Sequence, residues 1–414
     1  MKINATKFYT LLFIIIVFLQ LYVYSFRFNI FLQFIILSFF LILEKPRIST
    51  KFLKFLSPVV YIFIIGFFGT LLYKYNWYNI VKDIFHFIKP VLGLLIGYCF
   101  YRKINNFKLF VQAIVLTGLV SALVHFGLII SISNISTVAD IRQHGTDNFI
   151  ELVAVLFLSF YKKFENENLF QKRANHRILF WTILISSILY FSRTMIVTGF
   201  ISLLSIYGYT VIKPKTIKIA SILLLSIVLL YTVLFSVNIR RDKDGITSFL
   251  YKIKNAPAEV FKTKIDREDH TDLWDHWRGY EAKRAIELIK ENPEGIVFGL
   301  GYGSLVNLKF FAPLSDDEKG MKYISELHNG YAYILYKVGI VGLFLYLFFL
   351  NKLYKKIYQN KNFKNVFISA FGLSLFVSTL VTVGINNSNE ILMFIVGALL
   401  FFSEKNDFKT QEIC

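Results

Sequence analysis

Cysteine is nearly absent from this chain. Among 414 residues only Cys99 and Cys414 occur. Cys99 falls in an apolar run and Cys414 is the last residue, so the long polar stretch holds neither a disulfide nor a thiolate–metal framework. The seven histidines are scattered, and only His270 and His276 approach a metal-ligand spacing, so no metal or other cofactor is expected. No repeat of fixed period and no low-complexity tail is present, which leaves out solenoids and biased disordered modules. The first apolar run lacks a small-residue cleavage site after it and is therefore expected to be retained rather than removed as a signal peptide.

What the chain has in abundance is apolar length. Apolar residues make up 55% of it, with 45 phenylalanines, well above the usual share of a soluble domain. Uncharged runs near the roughly 20 residues a bilayer span requires recur from Phe8 to Phe402. Lipid forces each such segment to satisfy its own backbone hydrogen bonds. The expected fold is an all-α polytopic membrane protein of about 12 transmembrane helices. They are placed at about 8–25, 28–43, 55–73, 84–101, 108–131, 149–161, 178–192, 194–212, 217–238, 328–350, 365–384 and 390–403. The expected divisions are helices 1–9 in 1–238, a large loop in 239–327, helices 10–12 in 328–403 and a tail in 404–414.

The formal charge of +19 reads as a topology signal, not as a nucleic-acid footprint. Counting the termini and every second connection together gives 24 Lys and Arg, against 5 in the short connections of the other side. Basic residues accumulate on the cytoplasmic side. Both termini are therefore expected in the cytoplasm, and the loop at 239–327 in the periplasm. That loop carries 15 basic and 16 acidic residues, so the excess is not located there. Within it, 275–292 reads as a helix ending before Pro293. Trp274, Arg278, Ala282, Ala285 and Ile289 form one stripe at helical spacing, which turns Arg278 towards the membrane domain.

Ionisable residues in spans are costly and mark function by default. Lys89, His125, Arg142, His144, Glu151, Arg193, Asn386, Asn387, Glu390 and His328 all fall towards the outer side. Lys337 is the exception, some 13 Å deeper than His328 at 1.5 Å per residue, with Glu151 as the suggested partner. A carrier would place polar groups near the midplane, whereas concentration at one interface favours chemistry at the outer leaflet. No nucleotide-activated sugar is available there, and sugar transfer draws on lipid-linked pyrophosphates. Arginine forks match phosphate oxygens and stabilise a departing anion, and an imidazole suits deprotonation of a sugar hydroxyl. Arg142, Arg193, Arg278 and His328 offer these capabilities. The Gly299, Gly301 and Gly303 turn lacks the strand–turn–helix context of a nucleotide loop and reads as a flexible or tight connection beside the site.

Several short motifs stand in a fixed order: Arg142-Gln143-His144-Gly145 before a span, Ser192-Arg193-Thr194 at a tight turn, and Arg278 ahead of an Ala-rich helix. Asn292-Pro293 and the turn from Phe298 to Gly303 follow, and last comes His328-Asn329-Gly330-Tyr331 leading to Lys337-Val338-Gly339-Ile340-Val341-Gly342. In this order the chain resembles the O-antigen ligase and O-antigen polymerase superfamily. The resemblance implies a metal-independent, inverting glycosyltransferase of the C-type membrane fold in the cell inner membrane, with its site in the periplasm. It implies undecaprenyl-pyrophosphate-linked glycans as substrates. It carries pyrophosphate binding onto Arg193, Arg278 and Arg142, and catalysis onto His328 and Arg278. Lys337 departs from the family, in which that position is often acidic. The polymerase branch is favoured by the entry to the tenth span, with a ligase acting on lipid A core as alternative. The short tail counts against protein O-oligosaccharyltransferases. A chain-length regulator and a flippase are the expected protein partners, and no nucleic acid is expected. A lipid-linked oligosaccharide flippase and a non-catalytic assembly subunit are the readings of other classes.

Overall fold

The apolar sequence becomes helix almost throughout the computed structural model, which describes residues 5–23, 25–131, 149–239, 246–266, 270–314, 320–387 and 391–411. Five helices open the chain: α1 (Ala5–Tyr22), α2 (Phe26–Phe39, prolonged by a π-turn over Phe40–Glu44), α3 (Thr50–Leu72), α4 (Trp77–Ile104) and α5 (Phe107–Ser131). Four more follow as α6 (Phe149–Glu165), α7 (Arg173–Leu189), α8 (Arg193–Ile206) and α9 (Pro214–Ser236). The polar stretch folds as α10 (Ile246–Phe261), α11 (His270–Asp275), α12 (Trp277–Glu291), the single turn α13 (Gly295–Phe298), and strands β1 (Val306–Ala312) and β2 (Met321–Ile324). The chain closes with α14 (Gly330–Tyr354), α15 (Phe363–Ser378) and α16 (Leu392–Gln411).

Each expected span overlaps one of α1–α9 or α14–α16. Among the described residues, seven helices are long and apolar enough to cross a membrane: α1 to α5, α9 and α14. The protein is a multi-pass membrane protein. Small polar caps start several helices, as the unpaired amides of a first turn require. Ser49 accepts from the Phe52 amide, Ser192 from Met195 and Asn329 from Ala332.

Two expectations about the polar stretch are corrected. It is not wholly helical: β1 and β2 pair antiparallel with Val306 opposite Ile324, and lie against α12 through a Tyr280 hydroxyl bond to the Leu308 carbonyl at 2.5 Å. The helix expected over 275–292 forms as α12, but the stripe counted from Trp274 does not hold, because the chain leaves helical geometry at His276 between α11 and α12. The break resets the helical phase, so spacing counted across it fails. Trp277 (4% exposed), not Trp274 (38%), is the buried anchor, followed by Tyr280, Glu281, Arg284 and Ala285.

The glycine turn is a rigid joint, which settles the choice left open above. α14 leaves helical geometry at Gly339, whose φ is 67°. Such a break deprives the preceding carbonyls of their intrahelical donors. The Leu300 and Gly301 amides bond the Tyr336 and Lys337 carbonyls at 2.8 and 3.0 Å. A Cβ on Gly339 would meet the Val297 carbonyl at 2.2 Å, and one on Gly301 would meet the Thr70 amide at 2.1 Å. Lys337 completes the joint. Its partner is Asp83 of α4 at 2.5 Å, both side chains being fully buried, with the Ser304 carbonyl at 2.6 Å. The suggested pairing with Glu151 is therefore wrong. Lys337 lies within reach of α4, and Glu151 instead accepts from Ser121 at 2.6 Å and Tyr190 at 3.1 Å.

Candidate active site

Arg193 opens α8 directly after its cap, where a helix start presents the side chain at the tip of a turn. Arg278 sits in the first turn of α12. Far apart in sequence, both reach one carboxylate. Glu259 of α10 receives Arg193 through both terminal nitrogens, Nη1 to Oε1 at 3.0 Å and Nη2 to Oε2 at 3.1 Å. Arg278 Nη1 meets the same Oε2 at 3.0 Å. Arg193 Nη1 also donates to the Lys252 carbonyl at 2.5 Å. Arg278 thus faces α10, a helix of the polar stretch, as well as the bundle. A carboxylate held bidentately by one guanidinium and shared by a second occupies the geometry a phosphate group would take.

An open cavity of about 340 Å³ lies at this cluster. Arg193, Glu259 and Arg278 form its polar end, and Val197, Pro257, Phe261, Val377 and Val381 its apolar wall. Such a shape fits a ligand with an anionic head and a hydrocarbon tail.

One helical turn beyond Arg278, Glu281 is 1% exposed and turns to His328. Its Oε2 accepts from the His328 backbone amide at 3.0 Å and lies 3.0 Å from Nδ1. With Nδ1–H so engaged, the neutral ring carries its lone pair on Nε2. The Glu281 hydrogen bond raises the His328 pKa above its ordinary value, while partial burial and the Arg278 charge work against it. The imidazole side chain remains 56% exposed. An exposed ring backed by a buried carboxylate is suited to take a proton from a hydroxyl.

The residues before His328 are also fixed. Glu326 pairs with Lys82 at 3.0 Å and with His86 at 3.1 Å, both on α4. Burial works to raise its carboxyl, but His86 and Lys82 outweigh it and hold the pKa at about 2. Behind His328, the Gly330 amide bonds the Thr379 and Thr382 carbonyls at 2.8 and 2.9 Å. The base-bearing turn is thereby pinned to the end of α15.

The structure thus gathers three of the four expected residues, Arg193, Arg278 and His328, at one end of the bundle. Arg142 lies outside the described residues, as do His144 and Glu390. Among the described residues no group of three or more histidine, cysteine, aspartate or glutamate side chains could hold a metal ion.

With this geometry in place, comparison with known families is informative. Residues 178–347 match the family model described as O-antigen ligase. Over this segment the chain is similar to the O-antigen ligase family. The matched segment starts in α7, ends in α14 and contains Arg193, Glu259, Arg278, Glu281 and His328. The family comprises glycosyltransferase-like enzymes of the ligase and polymerase type. The comparison with curated proteins finds no match.

Sequence reasoning missed Glu259 and the part played by Glu281. Glu259 is the sole acidic residue of α10, and that isolation in a basic and apolar helix was the available signal. Glu281 stands three residues after Arg278, one turn along the same flank, but its partner in the fold cannot be read from that spacing.

Proposed function

We propose that the protein is a surface-polysaccharide polymerase of the O-antigen type, joining undecaprenyl-pyrophosphate-linked repeat units on the periplasmic face of the inner membrane. One observation carries this reading above the others. Two guanidinium groups from separate helices converge at a cavity with an apolar wall, beside a histidine backed by a buried carboxylate. A lipid-linked pyrophosphate needs that pairing of cationic cradle and hydrocarbon wall, and a sugar acceptor needs the base.

In the proposed reaction an acceptor hydroxyl oxygen attacks the anomeric carbon of the donor sugar. The new carbon–oxygen bond forms as the bond to the pyrophosphate oxygen breaks. The proton passes to His328 Nε2, and the leaving polyprenyl pyrophosphate departs with its negative charge met by Arg193 and Arg278. A guanidinium aimed at charge that develops in the transition state is worth more in a water-poor cleft than in bulk. Before the donor binds, Glu259 fills the Arg193 fork. The pyrophosphate must take its place, so Glu259 holds both arginines in position and competes with the substrate. The distribution of basic residues, which favours twelve spans with cytoplasmic termini, supports a cleft on the outer side.

A second reading is a ligase that moves the finished chain onto lipid A core, favoured by the description of the matching family. The His328-Asn329-Gly330-Tyr331 entry to α14 favours the polymerase. A gel of surface polysaccharide from a deletion strain separates them. Polymerase loss gives lipid A core carrying a single repeat unit. Ligase loss gives bare core, with long chains retained on the carrier lipid. Repeat units trapped on the cytoplasmic leaflet would instead indicate a flippase.

A further inference from the structure

A second cavity of about 160 Å³ adjoins the arginine cavity and has a different chemistry. The two share Thr194, Thr198 and Ser378 on their walls. Hydroxyl-bearing Ser192, Ser374 and Thr382, with Asn387, complete its polar lining, and among the described residues no charged side chain lines it. Thr382, another of its lining residues, holds the Gly330 amide through its carbonyl at 2.9 Å, two residues beyond His328. The cavity therefore shares walls with the arginine cavity and includes a residue that anchors the turn carrying the base.

Ser374 supplies an independent indication. It is 3% exposed and its Oγ is buried with no hydrogen-bond partner. A buried hydroxyl left unmatched carries a desolvation cost, which a ligand hydroxyl would relieve. The described lining supplies no cation, whereas the arginine cavity supplies two guanidinium groups to a phosphate. Hydroxyls that donate and accept, with Phe149 and Leu375 between them, match the alternating O–H and C–H faces of a saccharide. An engineered cavity of about 150 Å³ admits benzene, so the volume here suits one sugar ring rather than an oligosaccharide.

We propose that this pocket binds the monosaccharide ring joined directly to the donor's pyrophosphate, presenting its anomeric carbon between Arg193 and Arg278 on one side and His328 on the other. The assignment rests on the proposed polyprenyl-pyrophosphate donor.

Two probes separate the assignment from that reading. One is the lipid-linked repeat unit accumulated by a strain lacking the protein. The other is sugar-free undecaprenyl pyrophosphate. Binding of each to the full-length protein in detergent is measured for wild type and Ser374→Ala, a substitution that removes a hydroxyl with little change of shape. Ser374→Ala is expected to bind the sugar-bearing lipid about fivefold more weakly, the size of one hydrogen bond, and to bind the sugar-free lipid like wild type. Ser374→Leu, which fills the pocket, is expected to lose the sugar-bearing lipid selectively. Equal weakening of both lipids, or unchanged binding of both by the two variants, would overturn the subsite while leaving the donor reading intact. Wild-type protein that binds neither lipid would overturn the donor reading and the subsite with it.

Discussion

Glu281→Gln isolates the buried carboxylate that backs His328. Gln keeps the size of the side chain and retains an oxygen for the His328 backbone amide, but it removes the negative charge. The Glu281 Oε2 to Nδ1 distance is 3.0 Å. For charge centres about 4 Å apart the attraction is roughly 4 kcal/mol at an effective dielectric of 20 and roughly 1 kcal/mol in bulk water. Glu281 is 1% exposed and the His328 side chain 56%, so solvent screens the developing imidazolium and the lower half of that range applies. A loss of about 1.4 kcal/mol in stabilisation of the protonated ring slows transfer about tenfold. The sign of the pH effect follows from the raised His328 pKa. The base must be neutral to accept a proton, so wild-type activity rises with pH through that raised value. Removing the carboxylate lowers the pKa, and the acid limb of kcat/KM moves to lower pH while the plateau falls. The assay is elongation of lipid-linked repeat units by purified protein between about pH 5 and 9. An unchanged acid limb with a lower plateau would refute the argument, since it would reduce Glu281 to a structural contact.

Other expectations follow from the same geometry. His328→Ala should cost about 10²–10⁴ in rate with donor binding unchanged; matching losses in both would contradict a role as base. Arg278→Lys should weaken donor binding about tenfold or more, because an ammonium cannot reproduce the fork. Glu259→Gln should tighten it by a similar factor by removing the internal competitor, and weaker binding would mark Glu259 as scaffold alone. Lys337→Met leaves the Asp83 carboxylate buried without its counter-charge, with the Gly303 amide still donating to it, at about 3–5 kcal/mol. Lys337→Met combined with Asp83→Leu should regain most of that in thermal unfolding in detergent.

Much of this molecule was legible before the fold was seen, for reasons of period and solvent. Long apolar runs announce helices because lipid leaves the backbone no other partner. Ser192, Asn329 and the glycines around Gly301 mark helix starts and close approaches by local chemistry. Arg193, Arg278 and His328 stood out because charged and imidazole groups beside such runs are expensive. Their partners did not. Glu259, Glu281 and Asp83 lie respectively 66, 47 and 254 positions from Arg193, His328 and Lys337, and no periodicity spans those gaps. The stripe from Trp274 failed where His276 interrupts the helix, and the β1–β2 hairpin went unread because its strands are short and irregular in register.

The most direct test of the central claim is reconstitution of the purified protein in vesicles with lipid-linked repeat unit as the only glycan. The account predicts a ladder of longer lipid-linked glycans, formed without added lipid A core and abolished by His328→Ala. Transfer that occurs only when lipid A core is supplied, or a ladder that persists with His328→Ala, would contradict it.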